Sequence, residues 1–148
     1  MKMTYETSVN ASMESIWKVL MDVAHYSEWN TLIPIMEGTP GPEASLNVTL
    51  NPMGLNRRKV VAKMSGFFVP KYFSFEDHSH WGRWFLQEEI VVRMKERGEA
   101  TQLIGEIFMS GLSLRFRRSS VESGYKRSLV RMIDGLKDRV ERGEIEGG

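Results

Sequence analysis

The chain has 148 residues and no cysteine, and its 20 basic and 19 acidic side chains leave a net charge of +1. That length suits one domain, which we assign to residues 1–148, with enough buried surface for a hydrophobic core. The balanced charge argues against a nucleic-acid-binding surface, and the lack of cysteine excludes disulfides, thiolate catalysis and thiolate metal sites.

The first part of the chain predicts a strand followed by two short helices. Residues 3–9 alternate weakly and favour a strand, and Asn10 or Ser12 then offers an N-cap for a helix over about Met13–Val23. A second short helix or turn has to end before Pro34. Its apolar side carries His25, Tyr26, Trp29 and Ile33. The Gly- and Pro-rich residues 37–44 then form the clearest loop in the chain.

The middle of the chain alternates with a period of two, which is typical of half-buried strands. Five such runs are separated by turns, at residues 46–51, 57–67, 72–76, 83–95 and 100–109. In the fourth run the apolar residues share one parity, and Glu88 interrupts that otherwise apolar row. Consecutive runs of this kind predict an antiparallel meander.

Residues 121–142 predict a long amphipathic helix. Apolar side chains keep to one helical face at Val121, Tyr125, Leu129, Met132, Ile133, Leu136 and Val140. Gly143 is a natural stop, so we expect residues 143–148 to be a disordered tail. A two-faced helix of this length needs an apolar surface to lie on. We therefore predict an α+β fold, in which a curved antiparallel sheet of six or seven strands wraps around this helix, with two short helices after the first strand.

Three residues are candidates for acid–base chemistry. Strand parity points Glu88 inward, where burial would raise its pKa and suit an acid catalyst or a ligand anchor, unless a bulge turns it outward or an arginine pairs with it. Glu106 on the next strand either joins Glu88 as a carboxylate pair or lies on the surface opposite Arg93 or Lys95. His25 is either a general base or a hydrogen-bonded structural residue.

The remaining polar clusters carry weaker signals. His78 and His80 share a strand face but lack a third ligand, so we predict no metal site. Phosphate-binding Gly-rich loops are absent, and we expect no cofactor. The basic clusters at residues 57–59 and 115–118 either bind an anionic ligand or form a solvated face.

Two turns carry large apolar side chains where polar ones are expected. Met53 and Leu55 lie in the first turn, and Phe67, Phe68 and Val69 lie in the second. Exposed residues of this kind mark ligand mouths, partner sites or membrane contacts. The alternative is that these side chains fold back and plug the entrance of a cavity.

A family pattern begins in Ser8–Asp22 and continues through Tyr26–Asn30 to Gly38. Later parts of it are Thr101–Leu103, Glu106 and Phe108 before Gly111, and Leu136–Glu141. In these residues the sequence resembles the START-like superfamily with the Bet v 1 helix-grip fold, and within it the SRPBCC proteins of the polyketide cyclase/dehydrase group. Thr31 departs from the family, which often has proline there. The resemblance covers nearly the whole chain and implies a deep apolar cavity between the sheet and the last helix.

Members of this superfamily bind lipids, sterols, polyketides, quinones or plant hormones in that cavity. The resemblance therefore implies a carrier or sensor of a hydrophobic small molecule that is lipid-, quinone- or polyketide-like. We assign ligand binding to Tyr26, Trp84, Leu86, Glu88, Ile90, Phe108, Tyr125, Leu129 and Met132. We assign the cavity mouth to Met53, Leu55, Phe67 and Phe68.

Two other functions stay open beside the carrier, which we favour. The first is a cyclase/dehydratase enzyme with Glu88 or Glu106 as acid or base and a histidine such as His25 as partner. The second is an interaction domain like the START-like cochaperones. The sequence shows no signal peptide and no apolar run long enough to span a membrane. We expect a cytoplasmic monomer or homodimer that does not insert stably into membranes but can contact them transiently.

Overall fold

The computed structural model describes residues 1–77, 87–111 and 114–147, without the side chains of residues 115–117 and 144–147. The strands are β1 (Lys2–Val9), β2 (Ile35–Glu37), β3 (Ser45–Leu50), β4 (Arg58–Phe68), β5 (Tyr72–Asp77), β6 (Gln87–Arg97) and β7 (Ala100–Ser110). The helices are α1 (Met13–Met21), a 3₁₀ helix (Val23–Glu28) and α2 (Leu114–Gly147).

One antiparallel sheet of seven strands forms the body of the molecule, in the order β1-β7-β6-β5-β4-β3-β2. The first strand therefore lies beside the last, and the others follow as a meander. This arrangement, with a long C-terminal helix and short helices after β1, confirms the predicted α+β fold. The strand that the sequence did not reveal is β2, because three residues after a proline are too few to show a period of two.

Helix α2 covers the inner face of the sheet with its apolar stripe. The stripe residues Val121, Tyr125, Leu129, Met132, Ile133, Leu136 and Val140 are all buried, as predicted. They share one continuous core with inward-facing strand residues such as Phe75, Ile90, Leu103 and Ile107. Burying each such side chain contributes about 1.5–3 kcal/mol relative to leaving it in water.

Helix α2 is longer at both ends than the sequence indicated. It begins at Leu114, whose buried side chain lies seven residues before Val121 and so extends the same helical face. The backbone is also helical through Gly143, the predicted stop, where no left-handed residue occurs. A glycine inside a helix costs only about 1 kcal/mol and need not end it. Despite its length, neither α2 nor any other described helix is apolar enough to cross a bilayer.

Two glycines let neighbouring backbone approach α2 very closely. A Cβ atom at Gly124 would lie 2.3 Å from the carbonyl oxygen of Met53, and one at Gly135 would lie 2.5 Å from that of Trp29. The Ser128 hydroxyl links the same region, because it accepts a hydrogen bond from the Met53 amide at 2.9 Å and donates one to the Gly124 carbonyl at 2.8 Å. The β3–β4 turn and the end of the 3₁₀ helix are thus seated on α2 at fixed points.

The close approach predicts opposite effects of alanine at two helical glycines. Gly135→Ala should lower the free energy of unfolding by about 1–3 kcal/mol, because the methyl group overlaps the Trp29 carbonyl and outweighs the better helix propensity. Gly143→Ala is the matched control, since nothing lies within 4 Å of its Cβ position, and it should be neutral or stabilising. Denaturant unfolding measures both, and equal stability of the two variants would contradict this packing.

Candidate functional site

Glu88 lies inside the core near the start of β6. Its side chain is only 3% exposed, and it pairs in register with the buried Met109 of β7. Ile90 and Val92 follow on the same face and are also buried. The inward direction that strand parity predicted for Glu88 is therefore what the structure shows.

Arg58, the first residue of β4, lies against Glu88. Its Nη2 atom forms an ion pair with Glu88 Oε1 and donates a hydrogen bond to the Tyr125 hydroxyl at 3.1 Å. Its Nη1 atom lies 3.6 Å from Oδ2 of Asp77, whose side chain is 1% exposed. We call these four residues, Arg58, Asp77, Glu88 and Tyr125, the Arg58 cluster. One guanidinium thus connects the carboxylates of two strands with a hydroxyl on α2.

Burial controls the protonation of the Arg58 cluster. It raises the pKa of Glu88, and the opposing attraction to Arg58 and the Tyr125 hydroxyl does not cancel the rise. Burial, with the neighbouring Glu88 charge, also raises the pKa of the Tyr125 hydroxyl.

One oxygen of Glu88 is without a hydrogen bond, and Glu88 lines a small cavity. Glu88 Oε2 is buried and accepts no hydrogen bond. The cavity beside it has a volume of about 10 Å³ and is lined by Leu50, Val60, Ala62, Phe75, Asp77, Glu88 and Ile90. That volume is roughly what one water molecule needs.

A second cavity of about 10 Å³ lies between the sheet and α2. Phe75 and Ile90 line both cavities and so separate them, and Met132 of α2 closes the second one. The deep apolar cavity implied by the family resemblance is therefore largely filled in the described part of the chain. Large side chains of the sheet and of α2 occupy the space.

Most of the residues assigned to ligand binding line this interior. Ile90, Leu129 and Met132 are buried there. Tyr26 is buried too, but its hydroxyl donates to the Leu20 carbonyl at 2.6 Å and so caps the end of α1. Tyr26 therefore contributes its aromatic ring to the lining of the interior, because its hydroxyl is already hydrogen-bonded to Leu20. Trp84 and Leu86, together with His78 and His80, lie outside the described residues.

Glu106 and Phe108 lie on the outer face of β7, so Glu106 takes the alternative position beside Arg93 and Phe108 does not line the interior to which it was assigned. Glu106 Oε1 accepts a hydrogen bond from Arg93 Nε at 2.7 Å, and Lys2 Nζ lies 3.4 Å from Oε2. Burial alone would raise the pKa of Glu106, but these two cations outweigh it and lower the pKa. Phe108 is 38% exposed. Because both residues alternate with the inward residues of β7, Glu106 cannot form a carboxylate pair with Glu88.

His25 lies on the surface, which contradicts a role as general base in the interior. Its Nδ1 atom is 2.8 Å from Asp22 Oδ1, and its side chain is 55% exposed. The hydrogen bond to Asp22 raises the pKa of the imidazole. The structure thus supports the alternative of a hydrogen-bonded structural histidine.

Of the residues assigned to the cavity mouth, some pack against the core and others are exposed. Leu55 and Phe67 pack against the core, and the Phe67 ring meets Trp17 edge-on at 5.3 Å. The Met53 backbone is held on α2 by Ser128. Phe68, in contrast, is 69% exposed. A register shift in β4 between Met64 and Gly66 explains the difference between the two phenylalanines, because it exchanges the inward and outward parities.

Sequence reasoning missed Arg58 and Asp77 as parts of the site. Arg58 stands between two basic residues, a pattern that predicts either an anionic-ligand site or a solvated face, although it shares parity with the buried Val60 and Ala62. Asp77 likewise shares parity with the buried Phe75. The alternation within the predicted run 57–67 already places Arg58 inside, and extending the run 72–76 by one residue would have placed Asp77 there too.

A second carboxylate pair lies on the outer face of the sheet. Glu76 of β5 and Glu89 of β6 face each other in register. Burial, hydrogen bonding to Glu76 and repulsion by Glu76 raise the pKa of Glu89 to about 7. Among the described residues, no group of three His, Asp or Glu side chains is arranged to hold a metal ion.

Solved structures share this fold at low sequence identity. A START superfamily protein from Mycobacterium smegmatis matches with a TM-score of 0.76 and 17% identity, over 95% of this chain and 97% of that one. The Zhui aromatase/cyclase from Streptomyces sp. R1128 matches with a TM-score of 0.75 and 14% identity, over 97% and 95%. The major latex-like protein 151 of Panax ginseng matches with a TM-score of 0.71 and 13% identity, over 94% and 96%.

These matches establish a START/Bet v 1-like fold. Neither a protein-family model nor a curated protein matches the sequence. Because all three identities lie far below the level at which activity transfers, the similarity concerns fold alone. Function has to be argued from the Arg58 cluster and its surroundings.

Removing the Arg58 guanidinium should expose the cost of the buried Glu88 charge. Arg58→Met should lower the free energy of unfolding by about 3 kcal/mol at neutral pH, because Glu88 then loses its cation. The loss should be smaller at about pH 5 than at neutral pH, because burial raises the pKa of Glu88 and a lower pH favours its uncharged form. Arg57→Met, at an exposed neighbouring position, should have little effect. Denaturant unfolding at the two pH values tests this, and a pH-independent loss would contradict it.

At the outer carboxylate pair, removing one charge should stabilise the fold at high pH, whereas Arg58→Met should destabilise it. The pKa of Glu89 rises from 4.5 in the unfolded chain to about 7 in the fold, so ionisation penalises the folded state increasingly as pH rises through this window. Glu89→Gln should therefore raise the melting temperature above about pH 7 and leave it nearly unchanged near pH 4. Glu96→Gln, at an exposed site on the same strand, is the control and should shift it at neither pH. Thermal unfolding across this pH range measures both variants, and equal melting temperatures of the two at every pH would contradict the interaction between Glu76 and Glu89.

Proposed function

We propose that this START-like domain binds a small, mainly apolar molecule between the sheet and α2, with the Arg58 cluster as its polar anchor. The observation that carries the proposal is the pair of buried carboxyl groups of Asp77 and Glu88 at the edge of an otherwise apolar core, with the partly exposed guanidinium of Arg58 against both. Desolvating such charges costs several kcal/mol, and apolar residues of similar volume often serve stability as well or better. A few converging polar groups in apolar surroundings are typical of a ligand site.

The two interior cavities among the described residues each have a volume of only about 10 Å³, so a ligand has to displace side chains to occupy this part of the interior. Movement of Phe75 and Ile90 would join the two cavities, since both residues line each of them. Met132 can also rearrange, because its unbranched thioether side chain has several rotatable bonds. Binding coupled to such rearrangement should associate more slowly than binding to an open pocket.

The fold supports the class of ligand without selecting one. Among the solved structures that share it, one is an aromatase/cyclase and one is a START superfamily protein. We propose a lipid-, quinone- or polyketide-like molecule, held by a carrier or sensor. A core in which apolar residues outnumber polar ones suits such a ligand, and its polar end would meet Glu88.

Native mass spectrometry of the purified protein before and after organic extraction tests this function. The protein should carry one small molecule, or take one up from a mixture of lipids, quinones and aromatic polyketides, and extraction should remove it. The buried Ile90→Phe change, which fills the wall between the two cavities, should weaken uptake, while Val61→Phe at an exposed position should not. A folded protein that takes up nothing from the mixture would contradict the proposal.

An enzymatic role is the second candidate, and the raised pKa of Glu88 favours it. A protonated carboxyl beside the Tyr125 hydroxyl and the Arg58 guanidinium could donate a proton to a carbonyl or hydroxyl of a bound polyketide. Glu88→Gln separates the two functions. A carrier should keep most of its affinity, whereas a cyclase or dehydratase should lose at least about a hundredfold in rate.

A protein-interaction domain is the third candidate. The closely filled interior and the exposed side chains of Phe68 and Val69 favour it, because they leave little room inside and an apolar surface outside. Such a domain should retain a stoichiometric protein partner through Phe68. Phe68→Ser should abolish capture of the protein partner without changing the melting temperature. If the protein instead takes up a small molecule and Phe68→Ser leaves that uptake unchanged, the result would argue against a protein-interaction domain.

A further inference from the structure

An open groove lies on the outer face of β2, β3 and β4, on the side of the sheet that faces away from α2. It has a volume of about 420 Å³, and the outward-facing residues that line it are Ile35, Glu37, Asn47, Thr49, Lys59 and Val61. Ile35 and Val61 are 41% and 49% exposed, so the groove brings two large aliphatic side chains into contact with water. Apolar side chains grouped in this way on a polar surface are typical of an interaction site.

The strand register places the charged and the apolar residues of this groove on opposite diagonals. Two parallel rows cross the three strands, one made of Ile35, Thr49 and Lys59 and the other of Glu37, Asn47 and Val61. Glu37 and Lys59 therefore occupy two opposite corners, with their Cα atoms about 12 Å apart by the usual spacing of strands and residues. Ile35 and Val61 occupy the other two corners.

The two charged corners are not neutralised by their own surroundings. Among the residues that the structure describes, neither Glu37 nor Lys59 forms an ion pair, and both side chains are exposed. The next lysine on β4, Lys63, lies 3.2 Å from Glu43 instead. The groove thus carries one free charge of each sign and no net charge, which suits a partner with the same pair of charges in complementary positions.

A second copy of the same face is such a partner. In a twofold dimer both subunits use one patch, and each contact occurs twice. A twofold axis that lies in the interface and passes between the charged corners places Glu37 against Lys59 of the partner subunit, and symmetry repeats this pair. Ile35 and Val61 lie close to that axis, so each meets its own counterpart. One arrangement therefore pairs both charges and removes both apolar side chains from water.

We infer that the outer face of β2–β4 is the interface of a symmetric homodimer, held by two Glu37–Lys59 ion pairs around the exposed Ile35 and Val61. This surface is separate from the interior, so the inference does not depend on the proposed function. The sheet curves around α2, which makes its outer face convex and limits the area over which two such faces touch. Interfaces at the small end of the size range are weak and reversible, so the dimer should depend on protein concentration.

Sedimentation equilibrium of the full chain at concentrations up to about 1 mM tests the inference, because this range populates even a weak dimer. The unmodified chain should dimerise. Glu37→Lys and Lys59→Glu should each weaken dimerisation by at least about tenfold, because each places like charges opposite one another twice. An equimolar mixture of the two variants should dimerise again, since one variant is then basic at both corners and the other is acidic at both.

Glu96→Lys is the matched control, because it reverses an exposed charge on another part of the sheet and should leave the dissociation constant unchanged. All three variants should keep the melting temperature of the unmodified chain, since the altered side chains are exposed.

Each result supports or overturns the inference. Loss of the dimer in both single charge reversals and its return in the mixture support it. A chain that stays monomeric throughout would overturn it and leave the groove open to a different partner. Dimerisation that survives both charge reversals, or a mixture that stays monomeric, would also overturn it, because the contact would then lie elsewhere or lack the Glu37–Lys59 pairs.

Discussion

The close packing of α2 against the concave face of the sheet is the constraint on which the rest of the structure depends. Gly124 and Gly135 allow backbone carbonyls to approach the helix where any Cβ atom would collide with them. The helix therefore lies at a fixed depth, and its apolar stripe fills most of the space that an open helix-grip fold would leave. The carboxyl groups of Asp77 and Glu88 are almost cut off from water at the edge of this interior, and the partly exposed Arg58 lies against both.

The hydrogen bonding of Glu88 within the Arg58 cluster is incomplete. One guanidinium connects two carboxylates and the Tyr125 hydroxyl, yet Glu88 Oε2 is buried without a hydrogen bond. A purely structural ion pair would gain from a complete set of hydrogen bonds. An incomplete set beside a small cavity is better explained by a site whose last partner is a ligand or a water molecule that the ligand replaces.

The periodicity of the sequence was sufficient to predict the fold and the inward direction of Glu88, because the stripe on α2 and the alternation in β6 extend over many residues. The periodicity did not predict side-chain direction where a one-residue irregularity exchanges the inward and outward positions of a strand. The register shift in β4 sends Phe67 inward and Phe68 outward, and it cannot be seen from composition. Arg58 was missed because a charged residue at a strand end is usually solvated, and its burial depends on two carboxylates that only the folded sheet brings to it.

The most direct test of ligand binding in the interior is an NMR titration of ¹³C-methyl-labelled methionines with 2-naphthylmethanol. Met132 lines the interior cavity, whereas Met21 and Met53 lie nearer the surface. We predict saturable shift changes at Met132 with little change at Met21 and Met53. Changes confined to the surface methionines, or none at any methionine, would contradict an interior site anchored by the Arg58 cluster.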